Sequence, residues 1–167
     1  MSSKSDTSKT YSSPCLIGEI DSIYRGFLVE EEVLEFLNIL LKAERAGAKV
    51  CQSTIKENSD ASRVPLLESI KRDEIMSCRG LISSIRIMDG NPCVETGDFY
   101  NKCMALQDLN DRIKLLNKGQ QWVVRKIKET LPGILNKNVR KQLTNMLKIH
   151  EDNIELITNS IRRNETL

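Results

Sequence analysis

The chain has 167 residues, within the range of one domain, and a domain of that size buries roughly 70% of the surface its unfolded chain exposes. Hydrophobic residues make up 40% and charged residues 29%; the net charge of +2 is too small to imply a polyanionic partner, and aromatics at 4% argue against a stacking platform for nucleic acid. Five cysteines without a CxxC pair fit reduced thiols, and no apolar run reaches the roughly 18 residues of a membrane span. Nothing near the N-terminus resembles a signal-peptide apolar region. The expected location is cytoplasmic, with no nucleic acid and no membrane as partner and a homo-oligomer left open.

From the N-terminus, MSSKSDTSKTYSS is a Ser/Thr/Lys tract expected to be disordered. PCLIGEIDSIYRGFLV reads as a lead-in strap, so residues 1–29 precede the body at 30–163. A first helix is expected from about Glu30 to Lys56, with Glu30, Glu31 and Glu32 complementing the dipole in its first turn. Its apolar stripe is Leu37, Leu40, Leu41, Ala48 and Cys51, interrupted by Glu44. NSDAS breaks it. A second helix follows from about Arg63 to Met88, with Pro65 tolerated in the first turn. Its stripe is Leu67, Ile70, Glu74, Cys78, Leu81, Ile85 and Met88.

DGNPCVETGD ends that helix, and Phe99 to Leu106 reads as a short helical piece. Asp108, with Asp111 three residues on, marks a fresh start. The third long helix runs to Leu131 and stops at Pro132-Gly133; its stripe includes Ile113, Leu116, Gln120, Val123 and Ile127. Asn136 or Asn138 can cap the fourth, whose stripe is Val139, Leu143, Met146, His150, Ile154, Ile157 and Ile161. Four long amphipathic helices without a competing strand signal predict an all-α four-helix bundle. The first and last connections are short, giving antiparallel neighbours. The middle one, from Asp89 to Gln107, is long enough to carry the chain from one end of the bundle to the other. One long crossover between helices two and three is the ferritin-like arrangement.

An ionised carboxylate in an apolar interior costs several kcal/mol unless it is paired, protonated or bound to a metal. Glu44 therefore needs a partner. The helix midpoints fall near residues 43, 75, 120 and 150, and the polar interruptions Glu44, Glu74, Gln120 and His150 each lie within about two residues of one. Midpoints share a level whichever way the helices point, so these four side chains are expected to converge. Two carboxylates and an imidazole are a donor set for one divalent ion, iron, manganese or zinc. Cys78 and Gln120 would be accessory, with Asn117 and Gln121 as outer hydrogen-bond partners. A metal-free Glu–His–Glu hydrogen-bonded core fits the same pattern, as does pairing of a glutamate with Arg45, Arg79 or Arg112.

ERAGAKV, DEIMSC, TGDFYNKCMALQDLNDRIKLLNKGQQWVVRKIKETLP and LKIHEDNI together resemble an uncharacterised bacterial family of ferritin-like domains, over about residues 30 to 160. The wider superfamily implies a dinuclear carboxylate site with two single glutamates and two Glu-x-x-His motifs. Glu44 matches the first glutamate, Glu74 the glutamate of the second helix and His150 the histidine of the fourth. Ser77 stands where a histidine is implied, Leu147 where a glutamate is implied, and Gln120 or Gln121 at the third-helix carboxylate. The resulting expectation is a ferritin-like protein with a degenerate mononuclear metal site at Glu44, Glu74 and His150, of a redox or stress-related kind. A non-catalytic helical interaction module with a structural polar layer is the alternative.

Overall fold

The computed structural model describes residues 26–57 and 60–165; the N-terminal tract and most of the expected strap lie outside them. The chain forms α1 (Glu30–Glu57), α2 (Val64–Ile87), a short α3 (Phe99–Met104), α4 (Leu109–Thr130) and α5 (Lys137–Glu165), with no strand among the described residues. Single 3-10 turns at Ala61–Arg63 and Leu131–Gly133 precede α2 and follow α4.

The helix ends follow local chemistry. Asp60 accepts from the Ser62 amide at 2.9 Å and opens the turn into α2. Asp108 accepts from the Asp111 amide at 2.9 Å and caps α4, while Asn136 accepts from the amides of Asn138 and Val139 at 3.0 and 3.2 Å and caps α5. Past α2, Asp89 takes the left-handed conformation at φ 56°, a residue type that tolerates it, and the Gly90 amide closes onto the Ile85 carbonyl at 2.9 Å.

The connection between α2 and α4 runs beside α1, in the direction of α1. Near the start of α1, Asn38 accepts from the Cys93 amide at 2.7 Å and donates to the Asn91 carbonyl at 3.3 Å. In its middle, the Lys42 carbonyl accepts from the Gly97 amide at 3.2 Å, Arg45 donates to the Val94 carbonyl at 3.0 Å, and Lys42 pairs with Glu95. Towards its end, Ser53 meets the Tyr100 hydroxyl at 3.1 Å, and Arg112 ties the Leu106 carbonyl (2.8 Å) to Glu57 (2.9 Å). So α4 starts where α1 finishes and runs parallel to α2. This is the expected long crossover.

The core is two apolar clusters with a polar layer between them. One contains Leu37, Leu40 and Leu41 of α1, Leu81 and Ile85 of α2, Val123 and Ile127 of α4, and Leu143 and Met146 of α5. The other contains Val50 and Cys51, Leu67 and Ile70, Ile113 and Leu116, and Ile157. On every long helix the residues between the two sets are Glu44, Glu74, Gln120 and His150, all buried. Ala48, expected on the α1 stripe, is only half-buried, and Gly47 is buried instead. Cys51 and Cys78 are both free thiols, in agreement with antiparallel α1 and α2 that hold them on opposite sides of the layer.

Arg63 locks the far end. It is buried, donating to the Asn110 side chain at 2.8 Å, to the Ser160 carbonyl at 3.2 Å and to the Ser160 hydroxyl. It thereby joins the starts of α2 and α4 to the end of α5. A lysine keeps the charge but cannot fork to both partners. Arg63→Lys is expected to destabilise the protein by about 1–3 kcal/mol in urea unfolding; unchanged stability would show that this network does not hold the bundle end.

Candidate metal centre

Each donor arrives from a different helix or face. Glu44 comes from the centre of α1, Glu74 from α2 and His150 from α5; one donor atom of each lies within 4.8 Å of the others. All three are at most 3% exposed. Gln120, from α4, donates its amide to Glu74 Oε1. Gln121 is exposed, Asp73 beside Glu74 is only half-buried, and Leu147 packs against the first cluster. The arginines expected as alternative partners of Glu44 or Glu74 are elsewhere: Arg45 on Val94, Arg112 on Leu106 and Glu57, and Arg79 exposed on the surface.

His150 fixes the chemistry of the layer. Its Nδ1 lies 2.9 Å from the Met146 carbonyl. A carbonyl only accepts, so Nδ1 carries a proton and donates. In the neutral ring Nε2 is then a bare lone pair, 3.1 Å from Glu44 Oε1, which is also an acceptor. That contact needs a proton or a cation. Glu44 Oε2 is buried with no hydrogen-bond partner, and the Gln120 carbonyl oxygen and the Ser77 hydroxyl are buried and unpartnered as well. The layer has more acceptors than donors.

The electrostatics agree. Burial pushes the Glu74 carboxyl well above its ordinary value, and the adjacent Glu44 carboxyl pushes it further, against a lowering pull from Gln120. Burial acts to lower His150, but the Glu44 carboxylate and the bond to Met146 outweigh it and leave the imidazole raised. Cys78 is half-buried outside the cluster of donors, and burial, then Glu44 and Glu74, push its thiol up to about 12.

Two residues of the site escape a reading of residue types. Gly47 is one: a Cβ there would lie 2.7 Å from the Glu74 carboxyl, so that side chain occupies the space over a bare backbone. Glycine three residues after Glu44 is the only signal. Asn153, one turn beyond His150, is buried with an unpartnered amide nitrogen. It lies beside Ile154, which the apolar periodicity selects in its place. Asn117 donates to Thr158 at 3.3 Å, linking α4 to α5 below the layer.

In metal-free protein both raised groups bind protons more tightly folded than unfolded. Each contributes stability that is complete below its unfolded pKa, 4.5 for Glu74 and 6.5 for His150, and that is lost as pH rises through the folded value. With chelator present, the melting temperature should fall as pH rises above the unfolded value of Glu74 and then of His150, and fall less in Glu74→Gln. Equal slopes for the two proteins would show that Glu74 is not held neutral.

Among solved structures, the fold is similar to that of a ferritin-like, diiron-carboxylate protein from Bacillus anthracis str. Ames, at 18% identity and a TM-score of 0.60, over 80% of this chain and 93% of that one. No curated protein matches the sequence. A family model described as "Domain of unknown function (DUF6306)" matches residues 31–159, and the chain, a ferritin-like helical bundle with a buried Glu/Glu/His cluster, belongs to that family.

Proposed function

We propose that the polar layer holds one divalent metal ion, with Glu44, Glu74 and Nε2 of His150 as its protein donors. The observation that carries this reading is the committed Nδ1 proton of His150. It turns the Nε2 lone pair towards two carboxyls inside an apolar bundle, as in histidine metal ligands whose other nitrogen bonds a carbonyl. The orphaned Glu44 Oε2 is a further acceptor that an ion would satisfy. The similar protein from Bacillus anthracis is described as diiron-carboxylate, which supports a metal in this fold. Here Gln120, Ser77 and Leu147 stand at three positions where a second ion would need ionisable donors, so one ion fits the set better than two. Carboxylate and imidazole donors suit iron, manganese or zinc.

A bound ion would supply Lewis-acid or redox chemistry at coordination positions that three protein donors leave open. Gln120 orients the Glu74 carboxyl, and Met146 orients the imidazole. A redox or stress-related role in a reducing cytoplasm is consistent with the four free thiols among the described residues. The alternative is an interaction module with a structural layer. It is favoured by one observation: the Glu44 and Glu74 carboxyls lie within 4.8 Å of each other, and one proton shared between them would close the layer without an ion.

Protein purified without a metal-affinity tag should contain about one divalent ion per chain and should melt lower with a chelator. A metal present at about a hundred times its dissociation constant stabilises the folded state by about 2.7 kcal/mol. His150→Ala should lose both the ion and the chelator response. Trace metal with no chelator effect would leave the structural layer; two ions per chain would overturn the mononuclear reading.

Gly47→Ala separates the site from the helix. Alanine favours a helix interior by about 1 kcal/mol over glycine, yet its methyl enters the space of the Glu74 carboxyl. Metal affinity should fall about tenfold or more, a loss in the range reported for disturbed ligand orientation, while helix content by circular dichroism is retained. Unaltered affinity would show that the placement of Glu74 is not needed.

A further inference from the structure

A cavity of about 540 Å³ opens between α1, α3 and α4 and reaches Glu44, Glu74 and Gln120 at its buried inner end. Its walls are apolar, with Phe99, Leu115, Leu116, Trp122 and Val123 among them. The Phe99 ring lies directly on the backbone of α4, because a Cβ at Gly119 would come within 2.7 Å of it. The volume and lining are those of a small-molecule site, mostly apolar with a few placed polar groups.

The mouth is cationic. Lys42, Lys102 and Lys118 line the cavity, and Asp98 is the carboxylate at the rim. Lys42 is already paired with Glu95. Lys102 and Lys118 are exposed and make no ion pair among the described residues. Two lysines without an ion pair, against one rim carboxylate, thus leave a net positive charge over an apolar slot between packed helices. A purely apolar occupant would leave the cations unused. A compact anion would leave the walls exposed to water. A narrow molecule with one anionic end satisfies both.

We propose that this cavity binds the anion of a straight-chain aliphatic acid, with its alkyl chain along Phe99 and Trp122 and its carboxylate at the mouth on Lys102 and Lys118. The inference does not rest on a metal at the inner end. The polar layer limits how far the chain can enter. Affinity should therefore rise about fourfold per added methylene, the factor that corresponds to its transfer out of water, and level off once the chain reaches the layer.

Trp122 is the only tryptophan in the chain and reports from the cavity wall. The full-length protein, with chelator and separately with manganese, is titrated with alkanoates from hexanoate to dodecanoate below their micelle concentrations, and with the matching primary alkanols. The expected result is a saturable change in Trp122 fluorescence in both states, stepping with chain length and weaker for the alkanols. Lys102→Glu with Lys118→Glu, both on the surface, should weaken decanoate binding about tenfold, as for the loss of a hydrogen bond to a charged group. Ala43→Phe, which fills the slot from α1, should weaken the longer acids most. Three results would overturn the proposal. One is no fluorescence change. Another is equal affinity for alkanoate and alkanol. The third is binding that needs manganese and ignores the two lysines, which would put the carboxylate on the ion instead.

Discussion

Two carboxyl groups share one buried level with an imidazole, and among the described residues no arginine or lysine pairs with them. Everything else in the bundle is arranged around that burial. Desolvating one unpaired carboxylate costs several kcal/mol, and a second beside it adds like-charge repulsion. The fold must therefore supply a proton, a cation, or both. It confines the cost to a single layer, with complete apolar clusters above and below it. Each long helix contributes one polar side chain at the same height, so sliding any helix by one turn would bury a polar side chain against leucine without its partner. The layer thus sets the register of the bundle as well as its chemistry.

The backbone has a part in this beyond carrying side chains. The carbonyl of Met146 chooses the tautomer of His150, and the missing side chain of Gly47 lets the Glu74 carboxyl approach α1. Neither effect belongs to an ionisable residue. Gln120 gives Glu74 a donor that carries no charge, which steadies the carboxyl without neutralising it. The outcome is a site rich in acceptors and poor in donors, carried on the four long helices.

Much of this was legible in residue order. The apolar period placed four long helices, the Asp108 and Asn136 caps marked two of their starts, and the length of the Asp89–Gln107 connection implied its traverse. The common height of Glu44, Glu74, Gln120 and His150 follows from helix midpoints, because similar lengths align centres irrespective of direction. Small rotations about each axis were not legible. They decide that Gly47 and not Ala48 faces inward, that Asn153 is buried beside Ile154, and that Cys78 stands clear of the donor cluster. Such rotations come from close approach between particular pairs, as between Gly47 and Glu74, and a stripe of apolar residues is too wide to specify them. The cavity was hidden for a different reason. It is bounded by a connection whose path is fixed by hydrogen bonds to α1, and those partners are dozens of residues away.

The crossover has a consequence for how proteins of this shape can diversify. The polar layer rides on four helices whose register is mutually enforced, so it tolerates little change. The wall of the cavity is partly a connection, secured to α1 mainly through main-chain carbonyls and amides at Asn91, Cys93, Val94 and Gly97. Such anchors are indifferent to most side chains. Side chains that this stretch gives to the cavity without anchoring it, Asp98 and Lys102, can be exchanged or recharged with the polar layer left in place. The architecture therefore divides inheritance in two: a conservative interior that keeps its chemistry, and an editable panel that determines which molecules are admitted to it.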